Sequence, residues 1–182
     1  MNPTTFVPVP GSLIVLVGGS GAGKTTFATR WPATWRLSLD DYRAMATDSA
    51  ADQSATPVAD QVQTLLLDAR LSRSLTTVVD ATALLPHVRA GLLARARYWQ
   101  RPCVAVLFEV PLERRRELNA GRERVVPDHV LVDQELQMPT REQLLAEGFI
   151  RVDRVTVDPA VHATCVDPTR EHRDGLAPAA RV

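Results

Sequence analysis

The sequence predicts an α/β fold built on a parallel sheet of about five strands with helices on both faces, and three observations carry that prediction. Strand-length apolar runs alternate with segments of helical periodicity from Leu13 to Val157. The first run, Leu13 to Val17, breaks into Gly18-Gly19-Ser20-Gly21-Ala22-Gly23-Lys24-Thr25, which fits the pattern G-x-x-x-x-G-K-[ST]. Acids then stand at the carboxyl ends of the next two runs, Asp40-Asp41 and Asp80. That is the end at which parallel α/β sheets place their ligands.

The loop after Val17 is a phosphate cradle by construction. Glycines let successive backbone N–H groups turn inward onto phosphate oxygens, and a helix starting near Lys24 adds its positive end. Residues Gly18, Gly19, Ser20, Gly21, Ala22, Gly23, Lys24, Thr25 and Thr26 are the expected nucleotide contacts. Lys24 would reach the β- and γ-phosphates of ATP or another NTP, and the Thr25 hydroxyl would be a ligand of the Mg²⁺ that bridges them. Lys24 is also the only lysine in the chain. A compact, flexible point charge is thus kept where phosphate is to be held, while every other basic side chain of this kind is arginine.

Length and composition bound the rest. A chain of 182 residues can bury roughly 70% of its unfolded surface in one core, so one domain is expected over residues 1–166, with a polar, proline-bearing, disordered tail over 167–182. Lysine plus arginine equals aspartate plus glutamate at 21 each, which argues against coating nucleic acid by bulk charge but permits a local basic groove. Cys103 and Cys165 lie in apolar surroundings without metal-ligand spacing, and read as small core residues in a reducing compartment. Met1 to Gly11 lacks the charged-then-apolar layout of a signal peptide, and no apolar run has membrane-spanning length. The expected location is the cytoplasm.

In chain order, Trp31-Pro32 ends the first helical reading. Trp35 to Leu39 is a second strand, and a helix beginning near Asp41 puts Asp40 at its cap with Arg43 one turn away. The pair either faces one site or is a plain cap beside a solvated arginine. Ala46 to Ala55 reads as a loop. Thr56-Pro57 reads as a cap and first helical residue, followed to about Ser74 by Val58, Val62, Leu65, Leu66 and Ala69 at helical spacing. Thr76 to Val79 is a short strand ending at Asp80, which would hold a magnesium-bound water or merely cap a turn.

Pro86 opens a helix with Val88, Leu92, Leu93 and Ala96 inward and Arg89, Arg95 and Arg97 outward. Cys103 to Val110 is nearly all apolar, as a strand covered on both faces should be. Pro111 to Ala120 is helical, with Arg114 and Arg115 read as a solvated face. Arg122 and Arg124 follow Gly121 and precede Val126-Pro127, where a mobile lid could bring them over the phosphates. Asp128 to Met138 and Thr140 to Glu147 are two helices, the second with Gln143 completing a capping box and Gly148 at its end. Phe149 to Val157 alternates as a last strand. The four histidines have no neighbours at metal-ligand spacing and are assigned no chemistry.

Together these residues resemble the 5′-OH polynucleotide kinases, especially the kinase module of bacterial end-healing RNA repair proteins. The resemblance runs from Leu13 to Val157 and rests on four segments: Gly23-Lys24-Thr25; Asp40-Asp41-Tyr42-Arg43 as an Asp-x-x-Arg motif; Asp52 to Thr56 followed by Thr77 to Thr82; and Arg122-x-Arg124 leading into Val126-Pro127. It implies an adenylate-kinase-like P-loop NTPase fold, an arginine lid, ATP with Mg²⁺ held by Thr25 and Asp80, and 5′-OH DNA or RNA ends as substrate. Asp40 would be the general base for the 5′-hydroxyl, and Arg43 would bind the neighbouring acceptor phosphate. Arg122 is the first lid cation expected on the transferred phosphate and Arg124 the second. Two departures stand out: Ala83 replaces the asparagine common in Asp-Ala-Thr-Asn, and Leu118-Asn119 stands where Arg-Asn is usual. The competing readings are a small-molecule or antibiotic kinase on the same scaffold and a GTP-dependent switch. A single lysine, already used, leaves no Asn-Lys-x-Asp guanine motif for the switch.

Overall fold

The computed structural model describes residues 6–122 and 124–156. Its centre is a five-stranded parallel sheet in the order β2-β3-β1-β4-β5, with β1 at Leu13–Val17, β2 at Arg36–Ser38, β3 at Thr77–Asp80, β4 at Cys103–Phe108 and β5 at Arg151–Val155. β1 lies between β3 and β4, so every one of its residues is buried. Its side chains alternate. Leu13, Val15 and Val17 join Leu37, Leu67, Leu71, Leu92, Leu93 and Leu144 on one face, while Ile14 and Leu16 join Phe27, Trp31, Val104, Val106 and Phe108 on the other. On that second face the rings of Phe6, Phe27, Trp31 and Phe108 meet edge to face, with centroids 5.2–6.1 Å apart.

The helices are α1 (Lys24–Ala28), α2 (Leu39–Thr47), α3 (Thr56–Leu71), α4 (Pro86–Tyr98), α5 (Leu112–Ala120), α6 (Asp128–Leu136) and α7 (Arg141–Glu147). The strand order switches at β1, whose neighbours β3 and β4 are reached by crossovers in opposite directions. A crevice opens at the carboxyl ends of the strands at such a switch. The loop after β1, Asp80 at the end of β3 and the start of α2 after β2 all converge there.

Several expectations are corrected. α1 stops at Ala28, before Trp31-Pro32, and α2 already begins at Leu39, so the cap is Ser38, whose hydroxyl accepts from the Asp41 N–H. Asp40 is therefore a first-turn residue and not a cap. The expected loop from Ala46 contains the end of α2 and a 3-10 turn at Gln53–Ala55, and Thr56 is the first residue of α3 rather than its cap. α3 ends at Leu71 and buries Ala59, Gln63, Leu67 and Leu71, leaving Val58, Leu65 and Leu66 exposed. This helix carries apolar residues on two adjoining stripes, so periodicity permits two rotations. Tertiary contacts choose one: Arg70 donates to the Thr76 carbonyl and Thr77 hydroxyl at 2.7 and 3.1 Å, and Ala59 gives the small surface for close approach.

Two arginines read as solvated are buried. Arg89 forms a bidentate pair with Glu147 at 2.7 and 2.6 Å and donates to the carbonyls of Ala83 and Leu84, while Val88 turns outward. Ala83, in the place of the expected asparagine, has φ 47°, a left-handed conformation that asparagine tolerates better than alanine. Arg115 is likewise buried, donating to the Val110 carbonyl and pairing with Glu135, whereas Arg114 is exposed and pairs with Glu117. α6 and β5 are each shorter than expected, and β5 buries Val152 with Ile150 outside it and exposed. α7 has the predicted Thr140–Gln143 capping box and a left-handed Gly148. Cys103 is buried, and burial pushes its thiol up to about 12. Val157, Cys165 and the tail over 167–182 lie outside the described residues. Among the described residues no helix is long and apolar enough to cross a membrane.

Candidate active site

The loop after β1 is shaped by what packs behind it. A Cβ on Gly19 would lie 1.9 Å from the Arg115 guanidinium, and one on Gly21, at φ 80°, would lie 2.7 Å from the Arg115 carbonyl oxygen. Neither position has room for a side chain. Gly18, Gly19 and Ala22 are buried in this backing, while Ser20, Gly21, Gly23, Lys24, Thr25 and Thr26 line an open cleft of about 800 Å³. Asp40, Arg43, Asp80, Arg122 and Arg124 line the same cleft. Every charged residue expected in the site is thus brought together, four cations against two carboxylates.

Lys24 opens α1 and is buried, and its ammonium turns back to donate to the carbonyls of Gly18 and Gly19, each at 2.7 Å. Burial lowers its pKa to about 8; Asp80 opposes that shift, and Arg122 and Arg115 add to it. Its hydrogen-bond partners are neutral carbonyls, and the nearby carboxylate of Asp80 does not offset the burial of the ammonium. A polyphosphate supplies the missing charge, so the residues present fit a nucleotide.

Asp80 is pushed upward by burial, while a hydrogen bond from the Thr25 hydroxyl and the nearby Lys24 charge pull it back. Thr25 and Asp80, the two oxygen donors expected for magnesium, line the same cleft. Among the described residues no cluster of three or more His, Cys, Asp or Glu could hold a metal alone. Two protein oxygens suit an ion that keeps its waters and takes the rest of its shell from phosphate.

The start of α2 also lines the cleft. Asp40 and Arg43 sit one turn apart and form an ion pair, the carboxylate side chain 62% exposed to the cleft and the arginine side chain 7%. Arg43 Nε also donates to the Ala50 carbonyl at 3.0 Å. Its guanidinium is therefore aimed by two partners, and Asp40 is held toward open space. Burial of Arg43 excludes the alternative of a solvated arginine beside a cap.

Between α5 and α6 the Asn119 side chain closes the intervening loop, donating to the Val126 carbonyl at 2.8 Å and accepting from its N–H at 3.0 Å. The loop so closed presents Arg122 and Arg124. Arg124 reaches the Ala50 carbonyl at 3.4 Å, the same oxygen that Arg43 uses. Leu118, at the position of the missing arginine, adds an apolar patch to the wall. Gln53, from the Asp52–Thr56 segment, also lines the cleft, and sequence reading missed Gln134 beside it and Arg115 behind it. No local pattern marks them, because each meets the phosphate loop or cleft only through the fold.

An AAA domain family, AAA_33, matches residues 13–140. No protein with a curated description matches the chain. Among solved structures, a gluconokinase from Sinorhizobium meliloti is similar at 18% identity and TM-score 0.53, covering 86% of this chain and 89% of the other. Kti12 from Chaetomium thermophilum, solved with ADP-AlF3, is similar at 16% identity and TM-score 0.56, covering 91% and 100%. The Pnkp1/Rnl/Hen1 complex contains a chain similar at 25% identity and TM-score 0.52, over 69% of this chain and 43% of that one. With the strand order, the phosphate loop and the match over residues 13–140 in agreement, the chain belongs to the AAA_33 family of AAA domains and has the α/β fold of a P-loop kinase.

Proposed function

We propose that the protein is a polynucleotide 5′-hydroxyl kinase, moving the γ-phosphate of ATP or another NTP to the 5′-OH end of DNA or RNA. The observation that carries this reading is the Asp40–Arg43 pair lining one cleft with Lys24, Arg122 and Arg124. A carboxylate exposed beside a buried, aimed guanidinium suits an acceptor that brings a hydroxyl and an adjacent phosphate together. A 5′-OH nucleic acid end is such an acceptor. The likeness to a chain of the Pnkp1/Rnl/Hen1 complex supports it; the gluconokinase likeness speaks for the fold alone.

Lys24 grips the β- and γ-phosphates, leaving the carbonyls of Gly18 and Gly19. Arg43 binds the acceptor phosphate and so places the 5′-oxygen within reach of Asp40. Asp40 takes the hydroxyl proton as that oxygen attacks the γ-phosphorus in line, and the bond to the β-phosphate oxygen breaks to release the nucleoside diphosphate. Arg122, with Arg124 behind it, neutralises charge on the phosphoryl group in flight. Thr25 and Asp80 are the residues that would hold magnesium, which would supply positive charge against the phosphates.

The test is γ-labelled ATP with 5′-OH DNA, 5′-OH RNA and a panel of small alcohols. Label is expected on the nucleic acid ends, and removing the acceptor's first phosphate should weaken binding. Label on a small alcohol alone, indifferent to acceptor phosphate, would instead identify a small-molecule kinase.

A further inference from the structure

The phosphate loop is held from outside by a residue that the reaction does not use. Gln134, on α6 and 114 positions along the chain, accepts from the Ser20 N–H through Oε1 at 2.7 Å and donates to the Ser20 hydroxyl through Nε2 at 3.1 Å. The backbone N–H can only donate, so the carboxamide orientation is fixed chemically: oxygen faces that N–H. Its neighbour Glu135 pairs with Arg115, whose Nη1 occupies the space a side chain on Gly19 would need and has no hydrogen-bond partner. The helices on either side of the arginine loop thus both rest on residues 19–21 of the cradle.

We propose that Gln134 is a positioning residue of the nucleotide site, which sets the curvature of the phosphate loop before nucleotide arrives by holding Ser20 at two points. Ser20 lies between Gly19 and Gly21, residues with the most conformational freedom to lose on ordering. A clamp that orders them in the free protein removes that loss from the binding step, and affinity rises accordingly. A carboxamide suits the task. It offers an acceptor for the N–H and a donor for the hydroxyl, as a carboxylate cannot, and it brings no negative charge beside phosphates.

This inference rests on the reading that the loop binds an NTP, so nucleotide binding is measured directly, by calorimetric titration of the full chain with ATP and ADP in magnesium. Gln134→Met keeps the volume and removes both hydrogen bonds. Both dissociation constants should rise about tenfold, with acceptor KM and Tm unchanged. Ser20→Ala alone should cost about threefold and nothing further in the Gln134→Met background. Gln134→Glu should lose more than Gln134→Met, and added salt should restore part of the difference. Should Gln134→Met lower Tm, Ser20→Ala and Gln134→Glu still decide the matter. Wild-type affinity in Gln134→Met, tighter binding, or additive losses would overturn the proposal alone. Failure of the wild-type chain to bind any nucleotide would overturn the nucleotide reading and this inference together.

Discussion

The two walls of the cleft are made in different ways. The wall proposed to hold the nucleotide is one continuous stretch, Gly18 to Thr26, whose lysine is stored on its own carbonyls. The wall proposed to take the acceptor is assembled from α2, the Ala50 turn and the loop between α5 and α6, and its charged groups are aimed by contacts such as those of Arg43 and Arg124 to one carbonyl oxygen. On the proposed reading, the donor side draws its groups from one stretch of chain that Gln134 and Arg115 hold from behind, whereas the acceptor side has no continuous stretch and exists only through packing. Changes on one wall should leave binding at the other nearly untouched.

The strongest way to break that separation is Asp40→Asn. Transfer should fall about 10³-fold, the scale of a lost general base, while ATP affinity measured by titration stays as in wild type. A collapse of ATP affinity would move Asp40 to the metal site and merge the two walls. Lys24→Met comes next: transfer should fall about 10²-fold and ATP binding should weaken with it, acceptor binding remaining intact in a filter or anisotropy assay. Arg43→Ala should raise the acceptor KM about tenfold with little change in donor KM, as expected for one charge-assisted contact to phosphate. Arg124→Ala should have the smallest effect, about threefold in transfer rate with acceptor KM unchanged, because its contact with Ala50 is long at 3.4 Å and its side chain is exposed. A rise in acceptor KM larger than that of Arg43→Ala would make the loop arginine the acceptor anchor.

The contrast also explains what could be read in advance. The cradle, Asp40, Asp80 and Arg43 were legible because strand ends and one helical turn fix their mutual placement over a few residues. The α7 capping box was legible for the same reason. The rotation of α3 was not, since Val58, Leu65 and Leu66 form as good an apolar stripe as Ala59, Gln63, Leu67 and Leu71. Arg89 and Arg115 were misread because charge predicts exposure unless a partner is waiting, and Glu147 and Glu135 are 58 and 20 residues away. Arg122 and Arg124 line the cleft, but neither the Asn119 clasp that shapes their loop nor the Ala50 oxygen that Arg124 shares with Arg43 was legible.

By itself the sequence determined the parallel sheet, the phosphate loop and the acids at the strand ends, because apolar periodicity, glycine freedom and cap chemistry act over neighbouring residues. The tertiary structure decided which helix face is buried, which arginines are enclosed, and that Gln134 and Arg115 brace the loop from behind. Those outcomes depend on pairings between remote segments, whose energy no local pattern records.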